Sequence, residues 1–286
     1  DVTPETAIVM VLVPAGAAHL GCARNGPAEA GFELDPKQAR SDEAPAPGAI
    51  DLDWYFLARH ELSQGQWRRL SDGEEPSLYR LPGPDPRRSA DDTHPVESVS
   101  WTRARNLLLR AGLDLPTEAQ WEFGARAGVD EPQPYWAGTS EISVLRDALP
   151  NLADASVMKD TRRKIDGWRY ELNYTWDRHD YHAPVTASGA LRHPWGLEHI
   201  MGNVAEWCRD PYLGRYAFSP ARPGDGLRTA AVDGKRVVRG GSFKGALKEC
   251  RSARRSWEFQ DTYASDIGIR PARPVDPQPT TTNIRK

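Results

Sequence analysis

Every strong helix-start signal in this chain falls between residues 63 and 128, and no long periodic segment follows. Ser63-Gln-Gly-Gln66 is a capping box, in which the Ser63 hydroxyl accepts from the Gln66 amide while the Gln66 side chain reaches back. It predicts a helix through Leu70. Ser100 caps a second helix, with Trp101, Ala104, Leu107, Leu108 and Ala111 at helical spacing and Gly112 as its stop. Thr117-Glu-Ala-Gln120 is another capping box and starts a helix with Trp121 and Ala125 inward, ended at Gly128. The rest of the chain must then fold as short strands, turns and ordered loop.

Candidate strands are few. Ile8 to Gly16 reads as a short buried strand, and Ile50 to Ala58 alternates well enough for a second. Others lie around Val185, in Trp195 to Val204, in Arg236 to Arg239 and in Ile267 to Arg270. Residues 23–48 and 71–94 read as loop, and 274–286 as a mobile Pro/Thr tail behind a single domain spanning residues 1–273. The physical reading is an α+β domain with two helices near the front and sparse strands behind.

Composition supports a packed fold. The 286 residues hold 24 Gly, 24 Pro and ten Trp. Disorder would have shed the aromatics, so they read as anchors of a loop-rich core. Trp101, Trp121, Trp195 and Trp207 are expected in that core. With 37 basic against 40 acidic residues and no basic stretch interleaved with aromatics, no nucleic-acid partner is expected. The longest apolar run, Ala7 to Val13, is too short to cross a bilayer and has no basic flank of a secretory signal. The chain begins at Asp1 rather than Met, which implies a trimmed start and gives no reading of compartment. Three cysteines, Cys22, Cys208 and Cys250, show neither a CxxC pair nor zinc spacing.

In order along the chain, six blocks resemble those of the formylglycine-generating-enzyme (sulfatase-modifying factor) superfamily. They are MVLVPAG with HLG (10–16, 19–21), ARHELSQGQW (58–67), HPVESVSW (94–101) and LPTEAQWEFGARAG (115–128). WGLEHIMGNVAEWCRD (195–210) follows, then RVVRGGSF, RSARR and DIGIRPAR (236–243, 251–255, 266–273). Each block alone is weak; the ordered set is specific. The resemblance implies an elaborated C-type-lectin-like fold with two helices, small twisted sheets and long ordered loops.

The resemblance also implies calcium. One family site takes an Asn side chain and the next carbonyl, then an Asp side chain and the carbonyl two residues on. The matching positions are Asn151, Leu152, Asp177 and His179, with Pro184-Val185 correctly spaced behind. Oxygen ligands from two loops suit a hard cation, although both residues are also ordinary turn formers. A second family site maps onto His199, Gly202, Val204 and Glu206. There an imidazole stands where Asn or Asp is usual, and imidazole is a poor calcium ligand.

The family's copper site needs two cysteines five residues apart, just after the Gly-Gly-Ser block. Soft thiolates select copper(I), and one thiolate does not make that site. The segment GGSFKGALKECRSARR (240–255) holds Cys250 alone, so no copper and no formylglycine generation are expected. Related sulfoxide synthases hold iron on three histidines of an added helical domain. No HxxxH pair occurs here; His179-x-x-His182 is the nearest approach.

Superfamily members without the copper pair include sensor-like domains of bacterial protein kinases and variable proteins of diversity-generating retroelements. The latter vary the segment between GGS and IGxR. Here it carries Phe243, Lys244, Arg254, Trp257, Glu258, Phe259 and Tyr263. Aromatic and Arg side chains between two framework anchors resemble a binding hot spot for a protein or small-molecule ligand. The structural alternative is that half of them are core. Two other functions stay open: an oxidoreductase or maturation enzyme with an unrecognised centre, and a scaffold.

Overall fold

The computed structural model describes residues 3, 6–23, 33–34, 39–44, 46–80, 90–128, 151, 179, 181–187, 192–230 and 233–275. In chain order the first strands are β1 (Met10–Val13), β2 (Gly16–Ala18), β3 (Cys22–Ala23), β4 (Glu33–Leu34), β5 (Ile50–Leu52) and β6 (Tyr55–Ala58). Helices α1 (Gln64–Leu70), α2 (Trp101–Arg110) and α3 (Glu118–Arg126) follow. Strands β7 (Ala205–Pro211), β8 (Lys235–Arg239), β9 (Ser256–Phe259), β10 (Ile267–Gly268) and β11 (Ala272–Pro274) complete the fold. The architecture is α+β, with helices at all three predicted starts, one more than the two that the resemblance implied.

All three helices start where local chemistry places them. Ser63 Oγ accepts from Gln66 N at 3.1 Å while Gln66 Oε1 accepts from Ser63 N at 3.0 Å. Thr117 and Gln120 repeat that exchange at 3.1 and 3.0 Å. Ser100 Oγ accepts from Arg103 N at 3.3 Å. After α3, Ala127 turns into the left-handed region and Gly128 follows at φ 62°, where a Cβ would lie 2.8 Å from the Trp195 ring. Gly128 is therefore fixed by both conformation and close approach.

Four strands form the main sheet in the order β10-β7-β8-β9, with β10 parallel to β7 and the other pairs antiparallel. Successive residues of this sheet enter different cores, as strand alternation requires. Val237 and Cys208 join the cluster around Trp121, Phe123 and Ala125 of α3. Val238 and Trp207 join the cluster around Trp67 of α1 and Trp101, Leu107 and Leu108 of α2. Three buried indoles find an acceptor, Trp121 on Glu206 Oε2, Trp101 on the Cys208 carbonyl and Trp207 on the Val99 carbonyl, whereas the Trp67 Nε1 has none. Trp195 only half-buries against the α3 side.

Several strand expectations shift. Ile50 to Ala58 is not one strand: it breaks at Asp53, whose N–H donates to the Gly224 carbonyl at 2.8 Å. Strand β5 then pairs with β2, whereas β6 lies between β1 and β11. The expected strand at 195–204 is loop, because Gly196, His199, Gly202 and Asn203 all have positive φ. The strand begins one residue later, at Ala205. Pro274, placed in the tail by sequence, pairs opposite Tyr55 in β11. Residues 276–286 lie outside the described residues.

Candidate functional site

The Gly240–Gly245 turn leaves β8 and folds over one face of the main sheet, leaving a cleft of about 400 Å3. Its rim includes Lys244, Glu249, Arg254, Ser256, Glu258 and Asp266. Lys244 Nζ meets Asp266 Oδ1 at 3.0 Å and Ser265 Oγ at 2.7 Å, and Ser242 Oγ donates to Asp266 Oδ2 at 2.8 Å. Arg254 pairs with Glu249 at 2.6 Å. Glu258 makes no ion pair among the described residues. Gly241 permits the turn: at φ 70° a Cβ there would sit 2.6 Å from Cys250 Sγ.

Beneath the cleft lies a buried charge network. Arg239 reaches Glu118 at 3.2 Å, Glu122 at 2.5 Å and the Ser252 carbonyl at 2.6 Å. Arg255 grips both oxygens of Glu118, and Arg251 grips both oxygens of Glu43. Burial would raise the Glu122 carboxyl, but Arg239 and Arg126 outweigh it and hold its pKa below the usual range. The RSARR block is thus an anchor, with only its fourth residue, Arg254, turned to the cleft.

The expected binding residues divide. Trp257 (36 % exposed), Phe259 (48 %) and Tyr263 (63 %) are open to solvent. Trp257 and Phe259 alternate with Ser256 and Glu258 along β9, so the pleat sends the aromatics to the face opposite the cleft. There Trp257 packs at 5.5 Å from Phe259 and 6.2 Å from Tyr212, with Lys235 Nζ 4.6 Å above the indole. Tyr212 and Lys235 were missed in the sequence because neither lies near the segment. Lys244, Arg254 and Glu258 line the cleft instead. Phe243 corrects the expectation: it is buried with Tyr79 and Tyr181, since the backbone turn at Ser242 directs it inward.

Cys250 is fully buried, and burial pushes its thiol pKa well above the usual range, as it does for Cys208. All three cysteines are buried thiols.

The first calcium position fits in part. Asn151 is buried, its amide nitrogen donates to the Tyr181 carbonyl, and its Oδ1 has no partner. An orphaned buried oxygen is what a hard cation would satisfy. His179 is half-buried, while Leu152 and Asp177 lie outside the described residues. The second position does not fit. Glu206 accepts from Arg270 at 2.7 and 3.0 Å and from Trp121 at 2.7 Å, so its charge is already neutralised. Gly202 and Val204 sit beside it in the loop, and His199 is held neutral by burial, its pKa lowered to about 4. Among the described residues, no three His, Cys, Asp or Glu side chains gather to hold a metal ion. No described helix is long and apolar enough to cross a membrane.

Comparison with known proteins agrees with this geometry. The chain is similar to the formylglycine-generating enzyme of Streptomyces coelicolor, with 32 % identity over 64 % of this chain and 54 % of that protein. It spans about half the length of the curated relatives it matches first. Among solved structures, PvdO from Pseudomonas aeruginosa superposes with a TM-score of 0.66 at 20 % identity, covering 93 % of this chain and 94 % of that one. Treponema denticola variable protein 1 gives 0.62 at 21 % identity, covering 93 % and 95 %. The family description "Sulfatase-modifying factor enzyme 1-like domain" matches residues 2–275. The chain belongs to that family.

Proposed function

We propose that this family member is a binding module, with a protein or small-molecule partner, rather than a formylglycine generator. The observation that carries the reading is the solvent-facing pair Trp257 and Phe259, on an edge strand whose partners Val237 and Val238 are buried. Large aromatics held on a rigid strand contribute contact area at little cost in ordering, which is why such residues dominate interface energetics. Lys235 over the indole adds a cation to the same patch. The likeness to a variable protein supports a further reading, in which the residues between Gly241 and Asp266 are diversified by a retroelement. A reverse-transcriptase gene and a near-copy of the 3′ coding end beside this gene are then expected. A calcium ion on Asn151 and Asp177 belongs to the same proposal.

The test compares proteins retained by immobilised wild type with those retained by a Trp257→Ala, Phe259→Ala double variant. A partner lost from the variant, whose melting temperature is unchanged, supports the reading. The same partners on both would overturn it. The competing reading, an enzyme of this superfamily with an unrecognised centre, expects redox-active copper or iron in the purified protein.

A further inference from the structure

A second cleft, of about 410 Å3, opens between α2, β7, β8 and the loop at 227–230, and four of its lining side chains are arginines. They are Arg105, Arg209, Arg228 and Arg236, brought together from separate parts of the chain. Two carboxylates balance part of this charge. Asp114 meets Arg105 at 2.9 Å and Arg209 at 3.4 Å, and Asp225 meets Arg209 at 2.8 Å while also pairing with Arg222. Asp210 lies buried beneath, accepting from the Glu118 and Arg228 backbone N–H groups at 2.8 and 3.0 Å. Burial, with Glu118 nearby, lifts its pKa to about 6.

Arg228 and Arg236 make no salt bridge with any described carboxylate. Arg228 is 3 % exposed and stacks 4.8 Å from the Tyr216 ring centre, yet its Nε and Nη1 are buried without a hydrogen-bond partner. Arg236 lies 3.9 Å over the Trp101 ring and gives Nη2 to Gln260 Oε1 at 3.1 Å, but its Nε is also unpartnered. The Arg209 Nε is a further orphan. A buried charged donor left unsatisfied is costly, and Arg228 and Arg236 bring to one cleft cationic charge that no described carboxylate pairs. Stacking on Tyr216 and Trp101 fixes the orientation of two guanidinium planes before any ligand arrives.

We propose that this cleft binds a doubly charged oxyanion of the phosphate or sulfate type, held by Arg228, Arg236 and Arg209. Guanidinium groups offer paired N–H donors that match the oxygens of such an anion, and those reaching in from different directions suit a tetrahedral group better than a planar one. Thr229 adds a hydroxyl to the lining. The site shares no lining residue with the cleft at the Gly240–Gly245 turn. The anion can be free or the terminal group of a larger ligand.

The experiment titrates the intact chain with inorganic phosphate, sulfate and acetate at matched ionic strength, followed by calorimetry and by the NMR shifts of the arginine Nε–H groups. Phosphate and sulfate should bind saturably and move the Arg228 and Arg236 signals. Arg236→Gln should weaken phosphate binding by about tenfold or more, the scale of a lost charge-assisted hydrogen bond. Arg110→Gln, on the exposed end of α2, should leave it unchanged. Should Arg228→Gln fail to fold, the half-buried Arg236 still decides the matter. No saturable response beyond chloride, wild-type affinity in Arg236→Gln, or equal loss in Arg110→Gln would overturn the proposal. Acetate binding as tightly as phosphate would overturn the dianion assignment.

Discussion

Arg255 grips Glu118 with two arms, Nε to Oε1 at 2.7 Å and Nη2 to Oε2 at 2.8 Å, and both side chains are almost wholly buried. The pair ties the start of α3 to the segment entering β9. Arg239 shares the same carboxylate, so removing Glu118 leaves the buried Arg255 without its carboxylate and Arg239 with Glu122 alone. Glu118→Ala should therefore cost about 3–5 kcal/mol, the scale of a broken buried pair. Urea denaturation of the variant checks this, and a loss below 1 kcal/mol would show the network to be dispensable.

Two aromatic residues of the expected binding segment, Trp257 and Phe243, should behave oppositely. Trp257→Ala should change stability by no more than about 0.5 kcal/mol, as exposed positions do. Phe243→Ala opens the cluster with Tyr79 and Tyr181 and should cost about 3–5 kcal/mol. Where a partner is in hand, Trp257→Ala should weaken it by about 2 kcal/mol. Thermal melts and affinity measurements on the same two proteins separate the roles.

A peptide carrying a sulfatase-type Cys-x-Pro-x-Arg motif should keep its thiol when incubated with copper-loaded protein and oxygen. The reason is chemical: Cys250 is the sole cysteine of the segment after Gly-Gly-Ser, and it is a buried thiol. Mass spectrometry that found aldehyde above a no-enzyme control would defeat the expectation.

Calcium at Asn151 and Asp177 should raise stability by mass action, about 2.7 kcal/mol at a hundredfold excess over its dissociation constant. A chelator should lower the melting temperature of wild type and leave Asp177→Ala unmoved. Protein first shown to contain calcium, yet indifferent to the chelator, would rule out a stabilising ion.

Acid should weaken the fold partly through His193. Its Nδ1 accepts from Trp195 N at 3.2 Å, which needs the neutral ring, and burial lowers its pKa from the usual 6.5 to about 4. The folded state binds the proton less readily than the unfolded chain. This contribution is therefore complete above pH 6.5 and is lost as pH falls toward about 4, up to about 3 kcal/mol in all. His193→Gln should flatten that limb of the stability profile. An NMR titration of His193 near 6.5 in the folded protein would contradict it.

What the sequence made legible is what local chemistry decides. Ser63, Ser100 and Thr117 each bond a backbone amide three residues on, so those helix starts could be read without any long-range information. The break at Asp53 could not, because its amide partner is Gly224, far along the chain. Strand β9 is not among the candidate strands; its Ser-Trp-Glu-Phe alternates, but alternation does not say which side faces solvent, and here the apolar residues do. The arginine cleft left no trace at all, since its members meet only after β7, β8 and α2 have packed.

Strand β6 has β1 on one side and β11 on the other, so its two neighbours come from near opposite ends of the domain. A ribosome delivers these partners at very different times. Until residues 272–274 emerge, β6 has one bare edge and must avoid pairing with other chains. Closure of this sheet is thus a late, long-range event in synthesis, and the loop it closes is a slow one to close.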